Sequence, residues 1–192
     1  QLLRELMYMG HLIHSHALSL FVLAGPDLVF GLNGPAATQN IVGMVEAEPE
    51  LSKKGLRLRS LGQKINETIG GRGIHPVTAV AGGISFRLTD SQFARLQELT
   101  AEAVVLSSEL AGRTKKLLFD LFEANPVLLD KLNVPSWYVG TVNGGKVNFY
   151  DGELRVIDEH GNIATEFASR EYRDHIVERA VHTSYAKEVF IN

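Results

Sequence analysis

The sequence predicts an α+β protein: long packed helices forming a bundle-like body, with a small antiparallel β meander near residues 136–168. Three observations predict it. Apolar residues recur at spacings of three, four and seven through the first two thirds of the chain. From Ser136 the period changes to two. Glycine, proline and asparagine clusters punctuate the boundaries between these patterns.

The first helix spans residues 2–24, with Leu2, Leu6, Met9, Ile13, Leu20 and Leu23 on its apolar stripe. Gly25-Pro26-Asp27 stops it, because proline disfavours helix in the residue before it and donates no N–H. Residues 28–38 read as loop or broken helix, and Thr38 reads as the cap of a short helix over 39–48. Pro49-Glu50 suits the first turn of the next helix, where proline costs no hydrogen bond and an acid meets the positive end of the dipole. That helix runs to about Ile69 and ends at Gly70-Gly71. Residues 70–85 hold five glycines and Pro76, which makes a loop or short extended stretch.

Thr89 and Gln92 have capping-box spacing ahead of Phe93, Leu96 and Leu99. The helix they start continues to about Glu123, with a weak point at Gly112 and a stop at Asn125-Pro126. In the meander, Trp137, Val139 and Thr141 share one side of the first strand, and Asn143-Gly144-Gly145 turns it into Val147 and Phe149. Asp151-Gly152 and His160-Gly161-Asn162 make the later turns around Leu154, Val156 and then Ile163, Thr165, Phe167. Residues 169–181 read as a short helix capped by Ser169. The expected organisation is one domain over 1–192: a helical core in 1–125, the meander in 136–168, and a C-terminal helix and tail in 169–192.

At 192 residues the chain is long enough to remove roughly 70% of its unfolded surface from water. Hydrophobic residues make up 45% and charged residues 21%, and the net charge is −3, which argues against a nucleic-acid surface and against electrostatic membrane attachment. Zero cysteines exclude disulfides, thiolate nucleophiles and iron–sulfur ligation by this stretch. Arg4 and Glu5 interrupt any signal-peptide pattern, and the longest membrane-span candidate, residues 17–34, is cut by Ser19, Pro26, Asp27 and Asn33. The expectation is a soluble, cytoplasmic chain.

Two stretches stand out chemically. The first helix carries His11, His14 and His16 in an otherwise apolar run, with His11, Ser15 and Ser19 forming a polar stripe. His11 and His14 have metal-ligand spacing, but structural zinc needs four protein ligands and catalytic zinc about three, and no third is local. The simplest reading is histidines hydrogen-bonded between helices; the sharper one is a polar lining beside a reaction centre or proton path. The second stretch is Gly70-Gly71-Arg72-Gly73-Ile74-His75-Pro76, which fits neither a P-loop nor a dinucleotide turn. Arg72 suits an anion or carboxylate. Lys53, Lys54, Arg57 and Arg59 read as a solvated helix face, and Asn66-Glu67-Thr68 as a glycosylation triplet without meaning.

Several segments together resemble a family. LIHSHALSLFVLAGPD resembles the helix that follows the first cysteine motif of the nickel–iron hydrogenase large subunit. GGRGIHPVTAVAGGIS resembles that family's glycine–histidine–proline loop, and LRLRSLGQKINETIGG is similar to the helix leading into it. VNGGKVNFYDGELRVIDEHGNIATEF is similar to the β meander of its cytoplasmic, multi-subunit branch, and Ser184-Tyr185-Ala186-Lys187 to its Ser-Tyr-x-Lys pattern. The family's two cysteine pairs are missing, which implies an internal fragment of the catalytic subunit, inactive alone.

The resemblance implies reversible oxidation of dihydrogen in the intact protein, at a nickel–iron centre with cyanide and carbon monoxide ligands. No cofactor is expected on the fragment itself. The partners it further implies are electron-transfer subunits and an iron–sulfur small subunit, with no nucleic acid and no membrane. Self-association of the fragment through exposed apolar surface is also expected. Ser15 and His16 would face the centre or its proton exit, and Arg72 and His75 would shape the loop beside it. The alternatives are a metal-free hydrogenase-like structural or assembly subunit, and an unrelated histidine-lined metal-binding helical domain.

Overall fold

The structure, a computed structural model, describes residues 1–192. The chain divides into two compact units, Gln1–Asp130 and Lys131–Asn192. Helices dominate the first and small antiparallel sheets the second, so the α+β class stands.

In the first unit, α1 spans Leu2–Leu18 and runs without a break into a π-helical turn, Ser19–Leu23. Gly25-Pro26 interrupts it as the sequence suggests, but proline then occupies the first turn of a new helix, α2 (Gly25–Phe30), within the stretch expected to be loop. The cap of α3 (Ile41–Ala47) is Asn40, not Thr38. Asn40 has extended backbone and its side chain accepts from the N–H groups of Val42 and Gly43, which Thr38 is too far upstream to reach. Helix α4 spans Pro49–Gly70 and ends on Gly71 in the left-handed conformation. A two-residue ribbon follows, β1 (Ala79–Val80) against β2 (Gly83–Ile84). Helix α5, Asp90–Ala124, begins with the Thr89/Gln92 capping box and passes through Gly112 unbroken. A short helix not foreseen, α6 (Val127–Leu132), follows Asn125-Pro126.

Helix α4 is the middle layer, packed against α1 on one side and α5 on the other. Its apolar stripe, Leu51, Leu58, Leu61, Ile65 and Ile69, meets Ala17 and Phe21 from the N-terminal helix and Leu96, Leu99, Ala103 and Leu110 from α5. Small residues set the α1–α4 spacing. A Cβ at Gly62 would lie 2.5 Å from the Gly10 carbonyl oxygen and 2.6 Å from the His14 nitrogen, and one at Gly55 would lie 2.6 Å from Phe21 Cβ. The two backbones therefore touch where other helix pairs interpose side chains. On the α5 side, Arg57 grips Glu102 through two hydrogen bonds of 2.6 and 2.5 Å, and Lys54 pairs with Glu109. These basic residues are thus inter-helix ties, not a solvated face. Their mutual hydrogen bond holds the Glu102 carboxyl below the usual range and the Arg57 guanidinium above it.

The span Leu2–Leu23 is long and apolar enough to cross a membrane by length and composition alone, with 17% of its most apolar window buried. A search for an uninterrupted apolar run passes over it, because Arg4 and Glu5 fall near its start.

In the second unit, β3 (Tyr138–Asn143), β4 (Lys146–Val147), β5 (Glu153–Ile157) and β6 (Ile163–Phe167) form the expected meander, in the order β4-β3-β5-β6. Gly144 and Gly145 both have positive φ, the requirement of the tight turn that pairs Asn143 with Lys146. Asp158 closes the β5–β6 turn by accepting from the backbone of His160 and Asn162 and from the Asn162 amide. Val156 and Phe167 are its buried residues, whereas Trp137, Val139, Val147 and Phe149 are exposed.

The helix expected over 169–181 is corrected. Only a 3-10 turn (Ser169–Glu171) and one turn of helix, α7 (Tyr172–His175), form. The chain then becomes a hairpin of β7 (Ile176–Val181) and β8 (Ser184–Ile191), held by a Lys187–Glu178 ion pair and by Arg179 over the Phe190 ring. The pairing of Val177 with Phe190 and of Ile176 with Ile191 outweighs a helical period that was only two turns long.

Candidate functional site

Two concave features flank α1 in the first unit. The first is an apolar groove of about 770 Å³ between the N-terminal helix and α5, floored by Leu58 of α4. Met9, Leu12, Leu20, Leu118, Phe119 and Phe122 supply its walls, and His16 is among its few polar residues. The second is a cleft of about 420 Å³ between α1, α4 and the loop after α4. It is lined by Arg4, Tyr8, His11 and His14 of α1, Asn66 of α4, and His75 with its loop neighbours.

The cleft exists because the loop folds back. Gly71 reverses the chain, Val77 N–H donates to the Gly70 carbonyl, and the Thr78 hydroxyl donates to the Ile69 carbonyl. Pro76 then packs so closely on Gly70 that a Cβ there would lie 2.5 Å from the proline ring. Arg4 donates to the Val80 carbonyl at 2.8 Å and ties α1 to the returning strand. His75 stands at the rim with φ +53°, a left-handed conformation unusual outside glycine and stored most often at sites of function.

The His11 and His14 rings stack with centroids 6.4 Å apart. Burial holds the His14 imidazole below the usual histidine range, and like-charge repulsion from Arg59 and His11 pushes the same way. His14 Nε2, Arg59 Nε and Asn66 Oδ1 are all buried without a hydrogen-bond partner. No group of three histidine, aspartate or glutamate side chains converges in the structure, so these residues do not fit a metal centre.

The lowered His14 pKa links stability to pH. The unfolded chain binds this proton more tightly than the folded one, so protonation favours unfolding. Stability at this site is full above the ordinary histidine pKa of about 6.5 and is lost as pH falls through that value to the lower folded one. Urea midpoints measured across this window should fall with pH, and His14→Gln should flatten the slope.

The four residues singled out from sequence do not form one cluster. His75 lines the cleft and His16 lines the groove on the other flank of α1. Ser15, half-buried, lines neither, and Arg72 is exposed beside the cleft without an ion pair. The physical reason is the helical turn: adjacent residues diverge by roughly 100°, so His14 and His16 cannot share a face. Sequence reasoning passed over Arg4, Tyr8, Arg59 and Asn66. The last had a usable signal, since it lies one helical turn after Gly62 on the face that meets α1.

No family model matches the chain. Curated relatives and a solved structure nonetheless match it over nearly its whole length. The chain is similar to one subunit of the F420-non-reducing hydrogenase vhu of Methanocaldococcus jannaschii, 40% identical over 189 residues, covering 98% of this chain and 44% of the relative. The corresponding vhu protein of Methanococcus voltae is 39% identical over 96% of the chain and 43% of its own length. The NAD-reducing hydrogenase HoxS subunit beta of Cupriavidus necator is 30% identical over 96% and 39%. Among solved structures, an NAD+-reducing NiFe-hydrogenase in the H2-reduced state superposes with a TM-score of 0.86 at 27% identity, covering 99% of this chain and 42% of that one. The chain spans about two fifths of the length of the curated relatives it matches.

These findings correct the identification taken from the sequence resemblance. The relatives are named as vhu and HoxS hydrogenase subunits, and a chain of 192 residues matches only about 40% of each. The assignment to an internal fragment of a large catalytic subunit is replaced by similarity to these named subunits.

Proposed function

We propose that this chain works as part of a hydrogenase complex that oxidises dihydrogen reversibly and passes the electrons to partner subunits. The observation that supports it most is the agreement of sequence and fold along nearly all of the chain with subunits named as hydrogenase components. In this reading any nickel–iron centre is held by residues other than these, since there is no cysteine and no cluster of three ligands here. The chain's own part is the α1–α4–α5 wall and its apolar groove. Within this reading, we assign proton transfer along that groove to His16, which lines it.

The test is to tag the chain in its source organism and purify it with whatever accompanies it. The expected result is co-purification of further subunits and dihydrogen-dependent reduction of a viologen dye. In that preparation His16→Ala should lower turnover by about tenfold or more with metal content unchanged. A preparation that carries no hydrogenase activity sinks the proposal. The cysteine-free composition favours a second reading, a structural or assembly subunit. It predicts co-purification with the complex and unchanged turnover in the His16 variant.

A further inference from the structure

We propose that the histidine-lined cleft binds a small oxyanion, a carboxylate or a tetrahedral anion, through the side chains of Arg4, His11, His14, Asn66 and His75. Nothing in the hydrogenase reading requires this, and it stands on the cleft's own chemistry. The lining contains one guanidinium and three imidazoles and no carboxylate. The one permanent charge of the lining, the Arg4 guanidinium, thus has no carboxylate beside it in the cleft. Five other basic residues of this unit, Lys54, Arg57, Arg95, Arg113 and Lys116, do have an acid partner.

Two polar atoms of the lining, His14 Nε2 and Asn66 Oδ1, are buried and unpartnered, and both side chains can serve an anion. His14 Nε2 is a donor in the tautomer protonated there. Asn66 is only 2% exposed, and rotating its amide presents Nδ2 where Oδ1 now stands. Arg59 adds its positive field from α4 directly onto His14. Leaving such groups unsatisfied costs free energy that an oxyanion would return. Arg4 is already fixed by the Val80 carbonyl through one N–H and has further donors to offer. Tyr8 and His11 line the cleft with them, and His75 lines it from the loop, on a left-handed backbone. The volume of about 420 Å³ lies in the range of small-molecule sites.

The experiment is a titration of the full chain, with histidine rings labelled with nitrogen-15, at about pH 6. Sodium sulfate and sodium acetate are the probes, with sodium chloride at matched ionic strength as the control. Saturable shifts are expected at the rings of His11, His14 and His75, with the other four of the seven histidines unmoved. His75→Ala and His14→Gln should each weaken the response about tenfold. Saturation by sulfate alone identifies a tetrahedral ligand, and by acetate alone a carboxylate; either supports the site. No saturable shift, equal movement of all seven rings as in chloride, or undiminished binding by both folded variants overturns it. The unsubstituted chain decides the matter if a variant does not fold.

Discussion

Gly62→Ala should cost the chain about 2–3 kcal/mol, measured as a lowered urea midpoint, although alanine is the better helix former by roughly 1 kcal/mol. The new methyl group would lie 2.5 Å from the Gly10 carbonyl oxygen and 2.6 Å from the His14 nitrogen. Both are backbone atoms of α1, so no side chain can rotate away and the helices must separate. Separation would also uncover Ile65 and Asn66, which abut Gly10. The same substitution at Gly112 in α5 meets nothing within 4 Å. There Gly112→Ala should stabilise by roughly 0.5–1 kcal/mol, through lost unfolded-state freedom alone. Opposite signs for one chemical change isolate the α1–α4 contact as the cause. A Gly62 variant as stable as the original chain would mean that the two backbones do not touch.

Leu61→Ala should destabilise by about 2–5 kcal/mol. Leu61 is fully buried in α4, the middle of three layers, so truncation leaves a void bounded on both sides. The surrounding helices cannot collapse into it easily: glycine contacts already bring α1 as close as backbone allows, and the Arg57–Glu102 and Lys54–Glu109 pairs hold α5. Chemical denaturation followed by far-ultraviolet dichroism would measure it. A loss below about 1 kcal/mol would show that the layers relax more freely than this packing allows.

Where local chemistry decides a feature the sequence foretold it, the Asn40 cap of α3 excepted. Thr89 with Gln92 announces α5 because both cap partners lie within three residues. Asn143-Gly144-Gly145 announces a hairpin because the turn demands positive φ at its centre. Features decided across distance were hidden. The β7–β8 hairpin has no such turn signal at His182-Thr183, and the spacing of Tyr172, Ile176 and Ala180 imitates a helix. The site shows the same division. His75 could be singled out from its glycine-rich surroundings, but its juxtaposition with His14 and Asn66 arises only when α1 lies on α4. Lys54 and Arg57 looked solvated because the acids that face them are 55 and 45 residues further along.

The π-helical turn at Ser19–Leu23 holds one more residue than an α-turn of the same rise. It swings Phe21 onto the bare backbone of Gly55, and everything after it inherits the offset. Deleting a single residue there would turn the stretch into ordinary α-helix without severing the rod, at the expense of aiming a different side chain at Gly55. The N-terminal rod thus carries a built-in length adjustment, a point at which its sequence can shorten by one residue and remain continuous.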